Sequence, residues 1–223
     1  HHESGVAPTD KYYHRLYFSD DSNHHEVAWN EITGGGANRA IQFYSSTSNF
    51  QYDLSVHDNY IHNIVGDGIN FATVNAGNGK VEAYNNLIVN VGKGPDPYNG
   101  SSNYACILAM GTNSGTVEIF NNTMYDCGSR GSSSAGGIGA GVNTRLRNNI
   151  IYQIGSEAYL EPDYGGSRIS GSNNLWYGAG NGPSQATSNI NANPQFVNVG
   201  SNFQLSASSP AINVGTTIGT LTM

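Results

Sequence analysis

One phrase recurs along this chain. VEAYNNLIVNV (residues 81–91) returns as VEIFNNTMYDC from Val117 and TRLRNNIIYQI from Thr144. Earlier copies are LSVHDNYIHNI from Leu54 and HEVAWNEITGG from His25, and ISGSNNLWYGA from Ile169 is a degraded one. Aligned on Asn30, Asn59, Asn86, Asn122, Asn149 and Asn174, the copies are spaced by 29, 27, 36, 27 and 25 residues. A period of that size, built on β-branched residues and Gly rather than helix formers, predicts a β-solenoid. A leucine-rich repeat would need a fixed Leu grid, which is missing.

The columns of this alignment predict which side chains stack inside. Three residues before the Asn stand Val27, Val56, Ala83, Ile119 and Leu146; two after it stand Ile32, Ile61, Ile88, Met124, Ile151 and Trp176. Five after it stand Ile64, Val91, Cys127 and Ile154. Alternation along a strand points these inward and sends Glu26, Ser55, Glu82, Glu118 and Arg145 to solvent. A second strand follows in each coil, at RAIQFY (from Arg39), DGINFA (Asp67), ACILAM (Ala105), GGIGAG (Gly136) and EAYLEP (Glu157). There Ile41, Ile69, Ile107, Ile138 and Tyr159 point in, and Gln42, Asn70, Leu108, Gly139 and Leu160 point out. Stacking at the strand spacing gives a rod of roughly 30 Å for about six coils. The recurring Asn suits a left-handed corner and a stacked amide ladder.

The reading is one all-β domain over residues 1–223, with inserted loops at 92–104, 128–136 and 181–194. The first two loops leave the coil at matching places and emerge on one edge. Loops grouped like this often shape a binding site. The net charge of -7 leaves no basic stripe for nucleic acid. No run reaches the length of a membrane helix. Cys106 and Cys127 are read as buried free thiols in preference to a single bridge.

The chain resembles the right-handed parallel β-helix superfamily of secreted bacterial proteins, which includes pectate, alginate and chondroitin lyases. The carrying motifs are NNxIxxxG (best at residues 148–155), NNLWYG at 173–178 and the closing phrase NPQFVNVGSNFQLSASSPAINVG at 193–215. The resemblance implies a right-handed parallel β-helix of about six to seven coils and an extracellular or cell-surface setting. It implies a polysaccharide partner and speaks weakly on activity. Such proteins usually continue past the closing phrase and begin with a cap. The expectation is therefore part of a longer polypeptide, or ends covered by further coils or by end-to-end self-association.

Many relatives are polysaccharide lyases or hydrolases. A uronide lyase needs a base for the C5 proton and a cation to neutralise the carboxylate. A hydrolase needs two carboxylates at a fixed separation, and here no two Asp share a strand column. The lyase requirement is partly met. Arg39 and Asp67 share a column, Gln42 and Asn70 lie beside them, and Tyr44 is one step on. His57 and His62 flank Asn59 with Tyr60 between them; Lys80 opens the next coil and Tyr84 stacks over His57. The candidate catalytic set is Arg39, His57 and His62, with Gln42, Tyr44, Tyr60, Asp67, Asn70, Lys80 and Tyr84 lining the substrate. The plainer reading makes Arg39–Asp67 a surface ion pair and leaves the histidines solvated. The sequence carries no certain cofactor signal. Ca²⁺ is the candidate metal, with Asp53, Asp58 or the Asp96 loop as ligand types, none at a diagnostic spacing. Two outward aromatic columns, His57/Tyr84/Phe120 ending at Arg147 and Tyr125/Tyr152/Tyr177, offer either sugar-binding area or packing under loops. The competing class is a non-catalytic surface, adhesive or filament-forming β-helix.

Overall fold

A computed structural model describes residues 13–34, 38–95, 100–101, 103–128, 135–164 and 166–219. Asp96 and parts of the loops at 92–104 and 128–136 lie outside those residues. The described chain winds into six coils of three short strands each. They are β1 (His14–Ser19), β2 (His25–Ala28) and β3 (Glu31–Thr33), then β4 (Arg39–Tyr44), β5 (Leu54–His57) and β6 (Tyr60–Ile64). Next come β7 (Asp67–Val74), β8 (Val81–Tyr84) and β9 (Leu87–Val91), then β10 (Ala105–Gly111), β11 (Val117–Phe120) and β12 (Thr123–Tyr125). The last two coils are β13 (Gly136–Ala140), β14 (Thr144–Arg147) and β15 (Ile150–Tyr152), then β16 (Ala158–Leu160), β17 (Ile169–Ser172) and β18 (Leu175–Tyr177). Strands of successive coils pair in parallel, giving three sheets. Sheet A takes the first strand of each coil, sheet B the second and sheet C the third. An incomplete seventh turn follows: Thr187 bridges Ser172, and β19 (Ile190–Asn191) joins sheet C. An antiparallel hairpin, β20 (Phe196–Asn198) and β21 (Asn202–Leu205), comes last. The fold is a parallel β-solenoid, as the repeat predicts.

The inward columns pack as read. Ile41, Ile69, Ile107 and Ile138 are in register and fully buried, as are Ile61, Ile88, Met124, Ile151 and Trp176 on sheet C. Each such side chain contributes roughly 1.5–3 kcal/mol by leaving water. Phe18, Phe43 and Phe71 stack ring on ring at 4.8 and 5.5 Å.

Two columns depart from the sequence reading. Ile154 is 45% exposed. The inward place goes to Gln153, whose amide accepts from Cys127 N–H and donates to Cys127 C=O, both at 2.9 Å. A side chain that satisfies both groups of a buried peptide displaces an apolar one there. In the last coil the register slips by one, so that Ile138 pairs with Leu160 rather than Tyr159. Gly136 and Gly137 allow this, because a Cβ on either would meet the backbone of residues 159–161 at 2.7–3.0 Å. Tyr159 remains buried and packs on Trp176. Cys106 and Cys127 form a disulfide inside the core, in place of the free thiols expected. Cys106 lies in β10 and Cys127 just after β12 of the same coil, with their Cα atoms 5.4 Å apart.

The Asn pair divides its two roles. The first position (Trp29, Asp58, Asn85, Asn121, Asn148, Asn173) takes a left-handed φ of 52–59° at the corner between sheets B and C. The second builds the ladder. Asn30, Asn59, Asn86, Asn122 and Asn149 each donate both backbone N–H and Nδ2 to Oδ1 of the next Asn, at 2.9–3.1 Å. Nδ2 also donates to a carbonyl of the preceding coil, as from Asn122 to Ala83 at 2.9 Å.

Candidate functional site

The three outer faces of the solenoid separate the predicted site residues. Arg39, Gln42, Asp67 and Asn70 lie together on sheet A, with Tyr44 at the far end of β4. His57 and Tyr84 lie on sheet B, and Lys80 immediately precedes β8. Tyr60 and His62 lie on sheet C. Arg39, His57 and His62 therefore do not converge.

On sheet A, the Arg39–Asp67 pair forms, with Arg39 Nε donating to Asp67 Oδ2 at 3.0 Å. It is not a surface pair, because Asp67 is fully buried. Asp67 Oδ2 also accepts from Asn70 Nδ2 at 3.1 Å, and Oδ1 accepts from the Ala105 N–H at 2.8 Å. Burial pushes the Asp67 carboxyl up, against the opposing pull of Arg39, the Ala105 N–H and Asn70. Arg39 Nη1 donates to Asn38 Oδ1 at 2.8 Å, and its guanidinium lies 5.9 Å from the Tyr104 ring centre. Among the described residues, Arg39 makes hydrogen bonds through Nε and Nη1 only. That leaves Nη2 for a ligand carboxylate.

Three buried acceptors on this face have no hydrogen-bond partner: Gln42 Oε1, Asn70 Oδ1 and Glu161 Oε2. Native structures rarely leave such atoms unmatched. Asn70 is oriented by its donation to Asp67, so its carbonyl necessarily faces away from that carboxylate. The sequence reading missed Glu161, because the register slip carries it to the place assigned to Leu160. Its N–H donates to Ile138 C=O at 2.8 Å, and its carboxyl lies over Gly139, where a Cβ would sit 2.5 Å from both Glu161 Oε2 and Leu108 Cδ1. Burial first, then Asp67 and Asp163, push Glu161 up to about 8. The sequence reading also missed β1, which places His14 beside Arg39 and Tyr17 beside Gln42. The rings of His14 and Tyr17 stack at 5.3 Å, and Tyr17 and Tyr44 are 49% and 40% exposed. HRLYFS carries the same in-and-out pattern as RAIQFY, with Leu16 opposite Ile41 and Phe18 opposite Phe43. That pattern was the available signal.

Sheet B is crossed by stacked rings and ion pairs, and it too holds buried polar atoms without a hydrogen-bond partner: Ser55 Oγ, Glu82 Oε2 and Arg147 Nε. His57, Tyr84 and Phe120 stack nearly parallel at 4.5 and 4.9 Å, with Arg147 5.8 Å from the Phe120 ring centre. The ring faces are covered by one another, so the column offers little flat area to a sugar. His57 is buried rather than solvated, its Nε2 lying 2.8 Å from Glu26 Oε1 and its Nδ1 2.8 Å from Asp58 Oδ2. Lys80 pairs with Glu82 at 3.8 Å, and Glu118 takes both Arg145 and Arg147. Burial raises Glu82, opposed by Lys80.

On sheet C the rings of Tyr60 and His62 stack at 4.2 Å, and His62 Nε2 lies 3.1 Å from Glu31 Oε1. The Tyr125/Tyr152/Tyr177 column is covered by the closing hairpin, with Phe203 on Tyr125 at 5.1 Å and Phe196 on Tyr152 at 6.2 Å. It packs rather than binds. Asn148 holds the segment that follows, donating to Thr216 C=O and accepting from Thr216 N–H.

Among the described residues no group of three His, Cys, Asp or Glu side chains is placed to hold a metal ion. Asp53 instead faces His24 Nδ1 at 3.0 Å and accepts from the Lys80 N–H. No helix among them is long and apolar enough to cross a membrane. Comparison with known proteins finds no matching family model, no similar curated protein and no similar solved structure.

Proposed function

We propose that the protein is a carbohydrate-active β-solenoid that binds an acidic polysaccharide on the outer face of sheet A and cleaves it by β-elimination. The observation that carries this reading is the set Arg39, Gln42, Asp67 and Asn70 on adjacent strands, with two buried acceptors, Gln42 Oε1 and Asn70 Oδ1, left unmatched. A uronate offers what such a face lacks: a carboxylate for Arg39 Nη2 and hydroxyls that donate to Gln42 Oε1 and Asn70 Oδ1. Asp67 acts by positioning. It holds Arg39 by Nε and, by accepting from Asn70 Nδ2, turns the Asn70 carbonyl away from itself. In the elimination, a base takes the C5 proton, its electron pair forms the C4–C5 double bond, and the C4–O bond breaks. His14, Tyr17 and Tyr44 are the base candidates on this face. His57 and His62, on other faces, are not needed for this chemistry. A buried disulfide supports an extracellular setting.

The test is incubation with uronide polymers while the ultraviolet absorbance of the new double bond is followed. Arg39→Ala is expected to lower kcat/KM by roughly 10²–10³, the usual cost of removing a charge-stabilising donor. His57→Ala, in folded protein, should leave it within a few-fold. Binding without turnover would favour the non-catalytic adhesive reading, and no binding to any uronide or neutral glycan would end the proposal.

A further inference from the structure

Lys93 has no part in the chemistry proposed for sheet A, yet its amine is closely held. It follows β9 by two residues, where the first inserted loop leaves the coil. Its Nζ lies 2.6 Å from Asp126 Oδ1 and 3.8 Å from Glu157 Oε1, and it donates to the Gly128 carbonyl at 3.2 Å. The Glu157 side chain is fully buried, that of Asp126 nearly so, and that of Lys93 mostly covered. The repeat builds this meeting in steps. Asp126 stands four residues past the ladder residue Asn122, at the left-handed corner that Asn63 and Asn90 hold in the two preceding coils, with φ of 54–56° at all three. Asn63 is exposed and Asn90 half-buried, whereas Asp126 is buried. An uncharged amide serves such a corner equally well, so the corner does not account for the carboxyl. Gln153 draws the two acids together. Its amide accepts from the Cys127 N–H and donates to the carbonyls of Cys127 and Ala158, the neighbours of Asp126 and Glu157. The Cys106–Cys127 disulfide ties down the same segment. Among the described residues, one ammonium is thus held against two buried carboxyls. Charges are costly to bury, and an amine and a carboxyl in contact lose both charges by condensing.

We propose that Lys93 and Asp126 form a self-modification site, where an isopeptide bond joins Lys93 Nζ to Asp126 Cγ with Glu157 as the proton carrier. A proton passes from the Lys93 ammonium through Glu157 to the Asp126 carboxylate. The neutral amine then attacks Cγ, the Nζ–Cγ bond forms, and one C–O bond of the carboxyl breaks. Glu157 carries the next proton from Nζ to the departing oxygen, which leaves as water. An ammonium and a carboxylate become a neutral amide and one water, so the step balances without a co-reactant. Holding the amine against the carboxyl supplies the proximity that the two groups lack in solution. The 3.8 Å approach of Glu157 is loose for proton transfer, and resting sites of this kind commonly tighten as they react. The bond closes residues 93–126 into a ring that nearly coincides with the disulfide ring of residues 106–127. This stretch is the fourth coil, where Asn86 and Asn122 stand 36 residues apart against 25–29 for the other rungs. The longest coil has the most chain entropy to lose on closing, so a covalent tie stabilises it most. The inference stands apart from the glycan reading of sheet A.

The test is the intact mass of the purified protein after disulfide reduction, with folding checked by circular dichroism. Wild type should be lighter than its sequence by one water, about 18 Da. Between Lys80 and Arg130, Lys93 is the only site for trypsin. Digestion should therefore yield residues 81–130 as one uncut peptide lacking the same water. Lys93→Arg and Asp126→Ala should show their full sequence masses. Asp126→Asn makes the same amide by losing ammonia, so it should reach the mass of linked wild type. Glu157→Gln should slow linkage by roughly 10²–10⁴, the usual contribution of a positioned proton carrier, and leave freshly purified protein largely unlinked. Folded wild type at its full sequence mass would overturn the proposal. So would a water loss that persists in Lys93→Arg, which places the dehydration elsewhere. Undiminished linkage in Glu157→Gln would overturn the part given to Glu157.

Discussion

Glu161 has a consequence for stability. Its folded-state ionisation near 8 stands above the usual value of about 4.3 for an exposed Glu. The folded state therefore holds a proton that the unfolded chain releases. The resulting stabilisation is complete below about pH 4 and is lost as pH rises through 8. Between pH 6 and pH 8 this one group should cost about 1.4 kcal/mol per pH unit. Glu161→Gln removes that slope. In urea denaturation, the stability of the variant relative to wild type should rise by about 2–3 kcal/mol from pH 6 to pH 9. A constant difference would mean that Glu161 ionises normally. Nothing local in EAYLEP marks this residue, because its environment is made by Asp67, two coils below, and by two glycines that let the strand slip. Arg39, Gln42, Asp67 and Asn70 were legible, because each could be placed by counting from an Asn.

The element that holds the coils in register is the Asn ladder, and its cost of disruption depends on position. Replacing Asn122 by Ala would leave the Asn86 N–H and Nδ2 without their acceptor and the Ala83 carbonyl without its donor, all inside the protein. Asn122→Ala should therefore destabilise by about 3 kcal/mol or more. Asn30 is exposed and is the first rung of the ladder among the described residues, with no earlier rung among them donating to it. Asn30→Ala should cost under about 1 kcal/mol. Equal losses in chemical denaturation would show that the ladder is not a stabilising element. The columns of sheets B and C were legible because alternation and a fixed spacing determine them. Ile154 was not, because apolarity alone could not anticipate that Gln153 would pair with a buried peptide. The disulfide was not legible either, since sequence separation gives no indication that Cys106 and Cys127 come within bonding distance.

At the scale of the whole molecule, the three faces differ in what they present. Sheet B stacks its own rings and ion pairs, leaving Ser55 Oγ, Glu82 Oε2 and Arg147 Nε without hydrogen-bond partners, and sheet C is partly covered by the closing hairpin. Sheet A keeps unmatched acceptors beside an arginine, with exposed tyrosines at its margins. The repeat predicts how residues stack along the axis. It does not assign a column to a face, because that depends on where the corners fall. For this reason Arg39, His57 and His62 could be grouped in sequence and still stand on three different sheets. The most direct measurement is a backbone and side-chain amide chemical-shift map of the protein with a uronate hexamer. The largest changes should fall on Tyr17, Arg39, Gln42, Asn70 and the side-chain amides of Gln42 and Asn70. Changes centred instead on His57 and Tyr84, or on Tyr60 and His62, or no changes at all, would contradict the assignment of sheet A as the functional face.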